Sequence, residues 1–137
     1  ISNRVIIGQS VEGRDIWAFK VSDNPNIDED EPEVLYTALT HSREPLGMMN
    51  LIYFVQLLAE EQNSNPEFEY LISNREMWFI PVVNPDGYAY NESIEPTGGG
   101  MHRKNRLNTN CGNGSNRGDQ MTLVHLLIHV QQPIEET

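Results

Sequence analysis

Two residues three positions apart, His41 and Glu44, carry the clearest chemistry in the chain. They lie in the segment Thr40-His41-Ser42-Arg43-Glu44-Pro45, just after the apolar run Val34 to Leu39. A neutral imidazole and a carboxylate are ordinary ligands of zinc in hydrolytic sites, which leave one coordination position open. At a strand-to-helix turn, both side chains can face one point. The carboxyl end of a strand in an open α/β sheet is also where ligands bind. The spacing alone fits a second description better: an exposed histidine, and a first-turn glutamate favoured by the helix dipole.

The elements that must hold these residues follow from periodicity. Arg4 to Gln9 and Arg14 to Val21 read as strands joined by a turn flanked by Gly8 and Gly13. Ser22 to Pro32 reads as a loop, with Asp28-Glu29-Asp30-Glu31 as a solvated stretch. Val34 to Leu39 is apolar throughout and is expected to be a strand covered on both faces. Pro45 suits the first turn of a helix that carries Leu46, Met49, Ile52, Tyr53 and Leu57 to about Glu61. A second helix is expected over Pro66 to Ser73, with Asn65 as its N-cap. Met77 to Val83 reads as another strand, ended by the turn formers Asn84-Pro85-Asp86-Gly87. Strand, helix, helix, strand is a βαβ-type order, which pairs its strands in parallel. Beyond Asn91 the chain is expected to be mostly loop as far as Gly118. Met121 to Val130 is apolar and compatible with helix or strand.

Composition narrows the partners. The 137 residues suit one domain, and 38% apolar residues suit one modest core. Twenty acidic residues against nine basic ones give a formal net charge of −11. Phosphate recognition needs a basic face, so neither nucleic acid nor an anionic membrane surface is an expected partner. The single cysteine, Cys111, allows neither an internal disulfide nor a cysteine-based zinc cluster. The first seven residues have no signal-peptide layout.

Four segments, in order, make the chain resemble the zinc carboxypeptidase family: Gly8 to Ile16, His41-Ser42-Arg43-Glu44-Pro45, Pro81 to Tyr88, and Arg103-Lys104-Asn105-Arg106. The likeness is to the digestive-carboxypeptidase type, and more closely to its bacterial secreted branch. It implies an α/β fold, a partial mixed β-sheet flanked by helices, over residues 1–118, with residues 119–137 as a tail that does not match. It implies a zinc-dependent metallocarboxypeptidase that hydrolyses C-terminal peptide bonds. Its partners would be peptide or protein C-termini, and its location extracellular. By position, His41 and Glu44 match two zinc ligands. Arg103 matches the arginine that polarises the scissile carbonyl, a task suited to a fixed guanidinium. Arg43 matches a residue lining the substrate cleft, and reads equally as a surface ion-pair partner.

The chain also departs from the family pattern. His102 stands where a tryptophan is usual, and reads as a neutral substitution. Asn116-Arg117 has the composition of the family's carboxylate-binding pair but lies in the preceding glycine-rich loop. The family's third zinc ligand, its substrate-capping tyrosine and its general-base glutamate fall downstream of the matched segments. His125 and His129, four apart, could add metal ligands or be an ordinary histidine pair. A non-catalytic fragment or pseudo-enzyme with weak metal or peptide binding is therefore the alternative expectation.

Overall fold

A computed structural model describes residues 1–108. Four strands form one mixed sheet in the order β1-β2-β4-β3. They are β1 (Val5–Gln9), β2 (Asp15–Val21), β3 (Glu33–Thr37) and β4 (Glu76–Ile80). β1 pairs with β2 and β2 with β4 in antiparallel fashion, whereas β3 pairs with β4 in parallel. The parallel pair is bridged by α1 (Pro45–Glu61) and α2 (Pro66–Asn74), as the crossover requires. Pro45 and Pro66 occupy first-turn positions, where a missing N–H costs nothing. Asn65 caps α2 by accepting from the Glu67 N–H at 3.0 Å.

The sheet is packed on both faces. On one, Val21, Met77 and Phe79 meet Leu51 and Leu58 of α1 and Ile72 of α2. Phe79 stacks on Phe19 and Tyr36, with ring centroids 5.4 and 5.0 Å away. On the other, Ile16, Ala18 and Ile80 pack with Val83. The same β2 face carries Lys20, buried and bonded to Glu76 at 2.5 Å; its ammonium also donates to the carbonyl of Ile27. That buried pair anchors the acidic loop, since Glu76 also accepts from the Glu29 N–H at 3.0 Å.

Three expectations are corrected. β3 is not covered on both faces: its residues alternate between partly buried and exposed, and Leu35 is 40% exposed. Within the described sheet β3 is an edge strand, so only its Val34 and Tyr36 side faces the helices. β4 ends at Ile80, not Val83. Residues 81–84 instead run as a loop stitched to the end of β3, with Val83 N–H donating to Ala38 O and Asn84 N–H to Leu39 O, each at 3.1 Å. Finally, Asn84-Pro85-Asp86-Gly87 is no simple turn. It starts a helix, α3 (Pro85–Ile94), with Asn84 as N-cap accepting from Gly87 N–H at 3.0 Å.

Candidate functional site

The chain leaves β3 through a strained residue. Leu39, 3% exposed, has φ of 52°, in the left-handed region that a branched side chain rarely enters. Such a conformation costs about 1–3 kcal/mol and survives only where its surroundings hold it. Here the stitched loop after β4 holds it, through the Asn84 N–H on its carbonyl. The strained step delivers Thr40 and His41 to the carboxyl edge of the sheet. The turn 41–44 then closes through Glu44 N–H donating to His41 O at 3.0 Å, and α1 begins at Pro45.

Glu44 is the N-cap residue of α1, yet its side chain makes no capping bond. Its carboxylate turns back to His41, with Oε2 3.0 Å from Nδ1. Arg103 approaches the same atom from another segment, its Nη2 3.4 Å from His41 Nδ1. One imidazole nitrogen cannot serve both contacts as a single neutral tautomer: Nδ1–H donates to Glu44, and a bare Nδ1 accepts from Arg103. The imidazole Nδ1, a carboxylate oxygen and a guanidinium converge on one partly exposed point. His41 and Glu44 also line an open cleft of about 480 Å³ with Thr37, Ala38, Leu39, Thr40 and Gly47.

The donor set can be matched against zinc. Two ligands bonded to one tetrahedral ion at about 2.0–2.2 Å stand about 3.3–3.6 Å apart. The 3.0 Å between His41 Nδ1 and Glu44 Oε2 is shorter than this by a few tenths of an ångström, which a small side-chain rotation restores, and the Glu44 side chain is free of any capping duty. The pair fits as two members of a ligand set. Among the described residues no third histidine, cysteine or carboxylate joins them. The one group of three, Asp28, Glu33 and Glu76, lies at the amino ends of β3 and β4. Its Glu76 is already neutralised by Lys20.

Of the sequence-derived candidates, His41, Glu44 and Arg103 come together. Arg43 lies on the same turn, exposed. Asn116-Arg117, His125, His129, Cys111 and the apolar segment Met121 to Val130 fall outside the described residues.

Behind the turn lies a buried polar frame that sequence reasoning missed. Ser42 is 1% exposed, and its hydroxyl donates to His102 O at 2.6 Å. Asn91, near the end of α3, bonds both to Ser42 and to His102. His102 is itself buried, its ring edge-on to Tyr90 at 5.0 Å, so the position is a packed one. Gly87 lets α3 approach: a Cβ there would lie 2.6 Å from Ser42 Oγ.

At the start of α3, Asp86 ties two of the recognised segments together. Its carboxylate, 2% exposed, accepts from Ser10 Oγ at 2.6 Å, Glu12 N–H at 2.9 Å and Arg14 Nη1 at 2.7 Å. Burial pushes its pKa up, but the Ser10 hydroxyl, the Glu12 N–H and the Arg14 guanidinium together outweigh that and hold it below the usual aspartate range. Glu12 is held low in turn by Arg14 and Arg106, and the Arg106 guanidinium sits 3.9 Å over the Tyr90 ring. The segment carrying Arg103 is thus fastened on both sides of it.

A family model described as zinc carboxypeptidase matches residues 1–120. A zinc carboxypeptidase of Saccharothrix mutabilis subsp. capreolus is 44% identical over 84 residues, covering 61% of this chain and 19% of that protein. Carboxypeptidase D of Rattus norvegicus is 29% identical over 135 residues, covering 96% of this chain and 10% of that protein. Among solved structures, carboxypeptidase A from Helicoverpa armigera superposes with a TM-score of 0.64 at 30% identity, over 82% of this chain and 25% of that one. The chain therefore spans about a tenth to a quarter of the length of these three relatives.

Proposed function

The chain belongs to the zinc carboxypeptidase family, and from that premise we propose that its β3–α1 turn is part of a zinc-dependent site for hydrolysing the C-terminal peptide bond of a peptide or protein. His41 and Glu44 are two of the zinc ligands, Arg103 is the electrophilic partner of the scissile carbonyl, and Arg43 lines the approach. The observation that carries this reading is the meeting of His41 Nδ1 with Glu44 Oε2 at 3.0 Å and Arg103 Nη2 at 3.4 Å, at the carboxyl edge of the sheet.

The division of labour follows from the chain's own groups. Bound there, zinc supplies Lewis acidity toward the substrate carbonyl. The Arg103 guanidinium keeps a fixed positive charge where negative charge develops on the carbonyl oxygen, which is worth most in a partly desolvated cleft. Ala38, Leu39 and Thr40 form one wall of that cleft. Residues 1–118 form the catalytic-domain portion in this reading and 119–137 a divergent tail. An extracellular location accords with the same reading. No helix among the described residues is long and apolar enough to cross a membrane.

One observation favours a second reading, a non-catalytic fragment or pseudo-enzyme with weak metal or peptide binding. Only two metal donors converge at the turn among the described residues, and catalytic zinc sites use three protein ligands. Assaying the purified chain with zinc on one peptide bearing either a free or an amidated C-terminus separates the two. Zinc-dependent release of the terminal residue from the free form alone supports the catalytic reading. Release from neither form supports the second, because general-base help alone is worth about 10²–10⁴-fold.

A further inference from the structure

We infer that Asn91 is a positioning residue, whose buried carboxamide sets Arg103 in register with the His41–Glu44 turn. The inference rests on the reading of Arg103 and His41 given above. Asn91 is 7% exposed and uses the whole of its amide. Its Oδ1 accepts from the His102 N–H at 2.8 Å. Its Nδ2 donates to His102 O at 2.8 Å and to Ser42 O at 3.1 Å. Only one orientation of the amide satisfies all three, since a flipped group would set its oxygen against two carbonyls.

The side chain thus does what a neighbouring strand would do. It takes both main-chain polar groups of His102, the residue before Arg103, and with its second N–H holds the carbonyl of Ser42, the residue after His41. Two further bonds complete the frame: Ser42 N–H to Arg103 O at 3.1 Å and Ser42 Oγ to His102 O at 2.6 Å. No regular element joins residues 101–106 to the sheet, so this frame and the Arg106 contacts fix where the guanidinium emerges. Gly100 is required for the same fit, because a Cβ there would lie 2.7 Å from Asn91 Cβ and Oδ1. A residue that only stabilised the fold would not need to grip the chain on the inner flank of each reacting group.

The test is a zinc titration of the full 137-residue chain, followed by NMR at the Arg103 guanidinium, whose signal is identified by its absence in Arg103→Lys. In the parent chain zinc should shift this signal. In Asn91→Ala the shift should disappear, and zinc affinity should fall about tenfold, as for outer partners of metal ligands, while core signals of Leu58 and Ile80 stay in place. An Arg103 response in Asn91→Ala equal to that of the parent overturns the proposal. Asn91→Asp, equal in size and still an acceptor for His102 N–H, replaces the alanine variant if that one does not fold, and the same two outcomes decide. If His41→Ala takes up zinc as well as the parent does, the metal reading fails separately. The contact between the Arg103 guanidinium and the His41 ring in the zinc-free chain then tests Asn91, which predicts its loss in Asn91→Ala; persistence contradicts it.

Discussion

At the scale of single residues, the site depends on groups whose charge is fixed by neighbours far away in sequence. Asp86 shows the principle. Its ionised form is held by Ser10, Glu12 N–H and Arg14, so its pKa is lower in the folded chain than in the unfolded one. The sign follows: the unfolded state binds the proton first, so the stabilisation is complete above the unfolded aspartate range of about 4. It is lost as pH falls through the lower folded value. Asp86→Asn should therefore cost about 2–3 kcal/mol near neutral pH, the worth of charge-assisted hydrogen bonds to a buried acceptor. It should also flatten the acid limb of the stability curve. Denaturant unfolding at pH 7 and pH 3 checks both; equal loss at the two values would show that the charge is not the cause. His41, Glu44 and Arg103 were legible as candidates because residue type and order carry them. Asn91 was not, since a lone asparagine near a helix end has no pattern until the fold brings residues 42 and 102 to it.

At the scale of elements, the strand-to-helix turn is positioned by what lies behind it. α3 can approach Ser42 only because position 87 has no side chain; the nearest atoms to a Cβ there are 2.6, 2.7 and 2.8 Å away. Gly87→Ala should destabilise the chain by about 1–3 kcal/mol through overpacking, and should weaken zinc uptake by shifting the 41–44 turn. Thermal unfolding together with a zinc titration checks this, and a variant matching the parent in both would show that α3 yields without moving the turn. The helices α1 and α2 were readable from proline, cap and apolar spacing. α3 was not, because asparagine, proline, aspartate and glycine serve a turn and a helix start with the same chemistry. The fate of Asn84 was settled by tertiary contact: it caps Gly87 and also donates to Thr40 O at 3.4 Å. The end of β4 was misplaced for a related reason. Val83 after Ile80 is buried against Ile16, Ala18 and Ile80 of the sheet, while its N–H goes to Ala38 O in the loop after β3 and not to a ladder.

At the scale of the whole molecule, the described residues leave apolar surface open on the outer face of α1 and along β3. On α1, Leu46, Met49 and Tyr53 share one face and are 70, 55 and 59% exposed. β3 is an edge strand whose own Leu35 is exposed. Apolar patches and open edges favour association. The purified chain should unfold over a broad range at a midpoint that depends on protein concentration, and should aggregate on heating. Calorimetric scans across a wide concentration range check this; a sharp, reversible, concentration-independent transition of a monomer would mean that these faces are covered. The α/β class was legible because the apolar runs and their order specify a crossover. The exposure of β3 was not, since an apolar strand expects a cover that only the three-dimensional arrangement can supply or withhold.

If His41 and Glu44 act together as zinc ligands, isothermal calorimetry of zinc into the parent chain, His41→Ala and Glu44→Ala will show it. The parent should bind weakly, because the described residues supply only two protein ligands at the turn, and neither variant should bind measurably at the same site. Equal zinc uptake by the parent and His41→Ala would contradict it.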